Sequence, residues 1–159
     1  MLDNCASKEE RWQGVQALIQ RWLAERQELI VIYCALSNLK DNSESRLARR
    51  KLELFCEVLV DYVSSGHFEV YDQLAKEAEA FDDDSARKLF HHHYAAINET
   101  TEAALRFNDM FDLADSNSAA LDALRDELSE LGEQLSTRFQ LEDELIDALH
   151  NAHAALLPS

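Results

Sequence analysis

What most constrains this chain is how little interrupts it. From Gly14 to Gly66, and again from Gly66 to Gly132, it runs without a glycine, and its one proline is Pro158. Ala, Leu, Glu, Gln, Arg and Asp crowd the intervals, leaving long stretches with helical propensity. Strand-rich folds need closely spaced turn residues, so β architectures are disfavoured. The same shortage removes the glycine-rich loops that cradle phosphates after a strand, which argues against nucleotide chemistry.

The apolar residues bear this out in their spacing. Ser7-x-x-Glu10 reads as a capping box, followed by Trp12, Val15, Ile19, Trp22, Leu29, Tyr33 and Leu36 at three- and four-residue steps: a long amphipathic helix. Asp41-Asn42-Ser43 interrupts it, and Leu52, Phe55, Leu59 and Tyr62 define a second stripe. Ser64-Ser65-Gly66 marks a break or kink, after which helicity is expected to resume through His67, Tyr71 and Leu74. Asp82-Asp83-Asp84-Ser85 suits the start of a third helix carrying Phe90, Ile97, Thr101, Ala104 and Phe111. Ser116-Asn117-Ser118 opens a fourth, with Leu121, Leu124, Leu128, Leu131, Leu135, Leu145 and Leu149 in one heptad frame. Short connections between long helices imply antiparallel neighbours. The expected fold is therefore all-α: an antiparallel up-down-up-down four-helix bundle with a break in the second helix near Gly66, forming a single domain over residues 1–159.

Cys5, Cys34 and Cys56 are odd in number and scattered, which supports neither a disulfide framework nor a thiolate zinc site and suits a reducing cytoplasm. The N-terminal residues lack an apolar run, and no stretch approaches the ~18 apolar residues of a membrane span. Net charge is −16, and so acidic a chain repels a phosphate backbone, so direct nucleic-acid binding is disfavoured. The acid is concentrated. Residues 66–84 hold seven acids against Lys76, and residues 117–159 hold nine against Arg125 and Arg138. These segments read either as solvated helix faces or as a surface for a basic partner.

The stripes fail at a few informative positions. The first helix's frame lands on Arg26, the third's on Asn108, and the fourth's on Arg138 and Glu142. All fall toward the middle of their helices, where an unpaired buried charge costs several kcal/mol. They should meet one another or open into a cavity, with Asp61, His67 and Tyr71 around the Gly66 break as further members. Two readings stay open: a satisfied network that fixes helix register, or a polar pocket that contacts a partner or ligand.

Helical bundles often house metals, but no His here follows a Glu by three residues, as di-iron carboxylate bundles require. The segments beginning at His67 and Arg138 both read basic-Phe-x-aliphatic-x-Asp-x-Leu and resemble the His-Phe-x-x-Glu segments of hemerythrin-like bundles. Tyr71 and Arg138 replace ligands there, so no metal or other cofactor is expected. His91-His92-His93 cannot converge on one ion if helical, since successive residues point ~100° apart, and surface imidazoles are the default reading. No nucleophile motif is present to suggest an enzyme.

Several segments carry a resemblance: Arg21-Trp22-Leu23 with Arg26, Phe55-Cys56, the run from Leu59 to Phe68 with Tyr71, and Arg138 to Asp143 with Leu145-Ile146. In these the chain resembles the Rsd/AlgQ family of bacterial anti-sigma regulators. Glu9-Glu10-Arg11-Trp12 and the Gly66–Tyr71 stretch look closer to the pseudomonad AlgQ branch, linked to alginate and virulence-gene control. The resemblance implies a helical bundle that binds the C-terminal promoter-recognition region of the primary sigma factor of RNA polymerase and so favours alternative sigma factors. That region is a helix-turn-helix module with a basic surface for DNA, and an acidic surface could compete for it. On this reading Asp61, Ser65, His67, Phe68 and Tyr71, with Arg26, Arg138 and Glu142, form the partner-binding surface or the cavity behind it. The alternatives are a hemerythrin-like metal bundle, and an adaptor using its polar cavity for another ligand or protein.

Overall fold

The computed structural model describes residues 8–38, 45–66, 70–80, 84–112 and 118–156. They form five α-helices: α1 (Lys8–Ser37), α2 (Ser45–Ser65), α3 (Tyr71–Ala80), α4 (Asp84–Asp112) and α5 (Ser118–Leu156). No strand occurs among the described residues. Ser7 and the turn residues Asp41, Asn42, Ser43, Asp82, Asp83, Ser116 and Asn117 lie outside them.

Each helix buries the stripe its spacing dictates. On α1 these are Trp12, Val15, Ile19, Trp22, Leu29 and Leu36, and on α5 Leu128, Leu131, Leu135, Arg138, Glu142, Leu145, Leu149 and Ala152, the latter an unbroken alternation of three and four. Full burial of a leucine such as Leu29 or Leu149 is worth roughly 1.5–3 kcal/mol. The α2 stripe is wider, because Cys56 and Val63 join Leu52, Phe55, Leu59 and Tyr62. On α4, Thr100 and Phe107 are buried while Thr101 and Phe90 are only half-buried. Helix starts are acidic where the dipole rewards it: Asp84 opens α4 and pairs with Arg87, and Asp72 in the first turn of α3 lies 3.4 Å from Lys76.

α1 packs on α2, α2 on α4 and α4 on α5, while α3 leans on α4 and α5. Cross-helix pairs give the directions. Trp12 stacks on His153 at 4.1 Å, Arg26 bonds Asp143, and the Tyr33 hydroxyl donates to the Leu128 carbonyl at 2.9 Å, so α1 and α5 run antiparallel. Trp22–Tyr62 and Tyr33–Phe55 reverse α2 against α1 in the same way. His93–Glu144 and Thr101–Arg138 reverse α5 against α4.

The break or kink expected at Ser64-Ser65-Gly66 falls where one helix gives way to the next, with residues 67–69 outside the described ones. α2 stops at Ser65, the backbone widens to a π-type turn at Gly66, and α3 begins only at Tyr71. Close approach accounts for the glycine: a Cβ on Gly66 would stand 3.2 Å from Arg138 Nη2 and 3.5 Å from both Trp22 Nε1 and Tyr71 Cζ, so these side chains pack where another residue's would begin.

A buried carboxylate shared by four helices as the candidate functional site

The in-frame polar residues of α1 and α5 meet at one level of the bundle. Glu142 is fully buried, and each of its oxygens takes two donors. Oε1 accepts from the Tyr62 hydroxyl at 2.6 Å and from Arg26 Nη2 at 3.3 Å; Oε2 accepts from the Tyr71 hydroxyl at 2.5 Å and from Arg138 Nε at 3.2 Å. Arg138, equally buried and one turn before Glu142, also donates through Nη1 to Thr101 Oγ1 at 2.6 Å and Thr100 Oγ1 at 3.2 Å. Arg26 reaches outward to Asp143 at 2.7 Å, and its guanidinium carbon lies 4.8 Å from the Phe139 ring centroid. Charges so desolvated persist because they are paired and hydrogen-bonded.

Burial, followed by the Glu142 charge, pushes the Tyr62 and Tyr71 phenols well above the ordinary tyrosine range, which keeps both as donors. For Arg26, burial works against the cation, but Tyr62, Asp143 and Glu142 outweigh it and hold the guanidinium charged, above its usual range.

Of the residues singled out from the sequence, Arg26, Tyr71, Arg138 and Glu142 come together here. Asp61 does not: it is exposed on α2, one residue from Tyr62, which takes the interior place instead. Ser65 is half-buried at the α2 end, and His67 and Phe68 lie outside the described residues. Asn108 is half-buried two turns from Thr100 and Thr101, which supply the α4 contacts to Arg138. The reading of surface imidazoles holds for His91 and His92 but not for His93, which is buried with Nε2 2.6 Å from Glu144.

A neighbouring cavity of about 390 Å³ between α3 and α4 is lined by Tyr71, Asp72, Glu79, Arg87, His91 and Tyr94 among others, and Arg138 and Glu142 are not part of its wall. Among the described residues no group of three or more His, Cys, Asp or Glu is placed to hold a metal ion, and no helix is long and apolar enough to cross a membrane. Where a hemerythrin-like bundle would place ligands, this chain has an Arg138–Glu142 ion pair.

Tyr62, Thr100, Thr101 and Asp143 are cluster members that the reading of the sequence did not assign to it. Tyr62 and Thr101 were legible as stripe residues, but nothing in the spacing distinguishes a hydroxyl that bonds a buried ion from one that merely packs.

The sequence model of the family described as "Regulator of RNA polymerase sigma(70) subunit, Rsd/AlgQ" matches residues 1–150. The chain is 36% identical over 148 residues to a "Regulator of sigma D" of Yersinia pseudotuberculosis serotype O:1b (strain IP 31758), covering 92% of this chain and 87% of that protein. It is 37% identical over 152 residues to a protein of the same name from Enterobacter sp. (strain 638), covering 92% and 88%. A third, from Yersinia enterocolitica serotype O:8 / biotype 1B, is 35% identical over 148 residues, with the same shares of 92% and 88%. These relatives run against the expectation that Glu9-Glu10-Arg11-Trp12 and the Gly66–Tyr71 stretch set the chain nearer the pseudomonad branch. A match across nearly all of its length places the chain in the Rsd/AlgQ family, the non-enzymatic anti-sigma regulators that bind the sigma(70) subunit of RNA polymerase.

Proposed function

We propose that the chain regulates sigma(70) by holding its C-terminal promoter-recognition region, which lowers use of that sigma factor and favours alternative ones. The observation that carries this reading is the match to a family of sigma(70) regulators over residues 1–150. Charge supports it: Asp126, Glu130, Glu133, Asp143, Glu144 and Asp147 are all exposed on α5, an anionic face suited to a module whose own surface is basic for DNA. In this reading α2 and α3 are two segments of the second helix of an antiparallel up-down-up-down four-helix bundle. That bundle is one domain over residues 1–159, working in the cytoplasm without cofactor, direct nucleic-acid contact or membrane. The alginate- and virulence-linked role of the pseudomonad branch forms no part of it, since the relatives above are named for sigma D regulation.

The candidate residues then divide by role. Arg26, Tyr71, Arg138 and Glu142 fix the helices in register, and the exposed end of α2 meets the partner through Asp61 and Ser65, with His67 and Phe68 following. Asp61 continues an outward stripe of α2 at seven-residue steps from Leu47 and Leu54, both nearly half exposed, so the contact joins two apolar side chains to one acid. The test is titration of purified protein with the isolated sigma C-terminal region. Asp61→Ala should weaken the complex about tenfold, or ~1.4 kcal/mol, with an unchanged melting temperature. Equal affinity for the variant removes Asp61 from the surface, and no complex with the unsubstituted protein ends the reading.

A further inference from the structure

Between α3 and α4 the bundle is left unfilled, and the residue sizes on the two helices say why. α3 lines the gap with the methyls of Ala75 and Ala78, while α4 lines it with the larger Phe90, His91 and Tyr94 at three- and four-residue spacing. Small residues facing large ones leave the cavity of about 390 Å³, a size suited to a small organic molecule. Its base is apolar and sealed, since Ile97 and Leu145 are buried, whereas Tyr94, Asp72 and Glu79 are exposed and mark its mouth.

The wall's chemistry selects the occupant. The Tyr71 hydroxyl donates to Glu142, so what Tyr71 brings to the cavity is its ring, beside those of Phe90, His91 and Tyr94. Aromatic rings attract organic cations over their faces and bury apolar bodies equally well. The charged groups of the wall are two carboxylates, Asp72 and Glu79, and one guanidinium, Arg87, which is already bonded to Asp84 outside the wall. Asp72 meets Lys76 at 3.4 Å, but both side chains are about half exposed or more, and such a pair holds weakly. Asp72 and Glu79 stand seven residues apart on α3, so they lie on one face about 10 Å from each other along the axis, and a cation at the mouth is within reach of one or the other. An anion meets these two carboxylates and a chain of net charge −16. A metal ion lacks its ligands here, because no group of three or more His, Cys, Asp or Glu is placed for one among the described residues.

We propose that the cavity between α3 and α4 binds a small organic monocation that carries its ammonium group on an aromatic body, the ring against Ala75, Ala78 and Phe90 and the ammonium at the mouth with Asp72 or Glu79. The site shares no residue with the exposed α2 stripe, so it stands or falls independently of where the sigma factor binds.

Three probes separate charge from ring. The full-length protein, labelled with nitrogen-15, is titrated with 2-phenylethylammonium, with 3-phenylpropanoate, which has the same ring on an anion, and with butylammonium, which has the charge without the ring. The expected result is that 2-phenylethylammonium gives saturating amide shifts confined to α3, α4 and the neighbourhood of Leu145, with the anion at least about fivefold weaker and butylammonium at least about threefold weaker. Ala75→Leu, which fills the gap, should abolish the shifts. The double variant Asp72→Asn/Glu79→Gln changes only exposed side chains and should cut the preference for the ammonium over the carboxylate about fivefold. Shifts that never saturate or spread over the whole acidic surface, an anion that binds as well as the cation, or Ala75→Leu protein that binds unchanged overturns the proposal. Should Ala75→Leu not fold, the double variant decides: a lost preference supports the site, and an unaltered one refutes it.

Discussion

Glu142 holds four donors, and Arg138 depends on it for its only ion pair within the cluster, so the two residues are not equivalent. Removing Glu142 strands a fully buried guanidinium, whereas removing Arg138 leaves a carboxylate still served by Arg26 and two phenols. Both Glu142→Ala and Arg138→Ala should destabilise by about 3–5 kcal/mol in urea titrations, with Glu142→Ala the more severe. Equal or negligible losses would mean that water reaches the cluster. The tyrosines add a pH signature. Tyr62 and Tyr71 have phenol pKa values raised by folding above the ordinary 10.0, so folding holds their protons more tightly than the unfolded chain does. That contribution to stability is complete below about pH 10 and is lost as pH climbs from there. Melting temperature should therefore fall above pH 10, and Tyr71→Phe should shallow the fall. Ultraviolet titration should show Tyr62 and Tyr71 ionising only as the protein unfolds. Arg26, Arg138 and Glu142 were legible in the sequence because each breaks an apolar frame that continues on both sides of it. Thr100 and His93 were not, since a threonine on a stripe passes as a small apolar residue and an isolated run of imidazoles gives no hint that one of them faces Glu144.

At the scale of helices, α1 and α5 meet where the Tyr33 ring crosses Gly132. A Cβ there would sit 2.9 Å from the phenol's Cζ and clash with its hydroxyl, which donates to the Leu128 carbonyl. Alanine in a helix interior ordinarily gains up to about 1 kcal/mol over glycine. Here the displaced ring and lost hydrogen bond outweigh that gain, and Gly132→Ala should cost a net ~1–2 kcal/mol. In a Tyr33→Ala background the same change should become stabilising. A Gly132→Ala penalty that persists without the phenol would place the crowding elsewhere. The element order was readable from periodicity and turn residues, since α1, α4 and α5 follow the expected stripes closely. The surroundings of Gly66 were not, because the side chains packed against it, Arg138, Trp22 and Tyr71, lie on three different helices.

For the whole molecule, the interior cluster and the exterior acids do separate jobs with the same residue types. Glu142 is sealed inside, while its neighbours Asp143 and Glu144 and the other acids named on α5 are exposed; in the proposed reading the first fixes register and the others set the field a partner meets. Exposed charges act through solvent and are screened over about 8 Å at physiological ionic strength, whereas the buried pair is screened far less. Salt should therefore weaken the complex with sigma(70) while leaving the fold intact. The most direct measurement is the dissociation constant for the isolated C-terminal region of sigma(70) at about 50 mM and 300 mM salt, with the melting temperature followed in parallel. Tight binding at low salt that loosens at least about tenfold at the higher concentration, over an unchanged melting temperature, is the expected result. Affinity that ignores salt, or no complex at low salt, would contradict an acidic helical surface competing for a basic promoter-reading module.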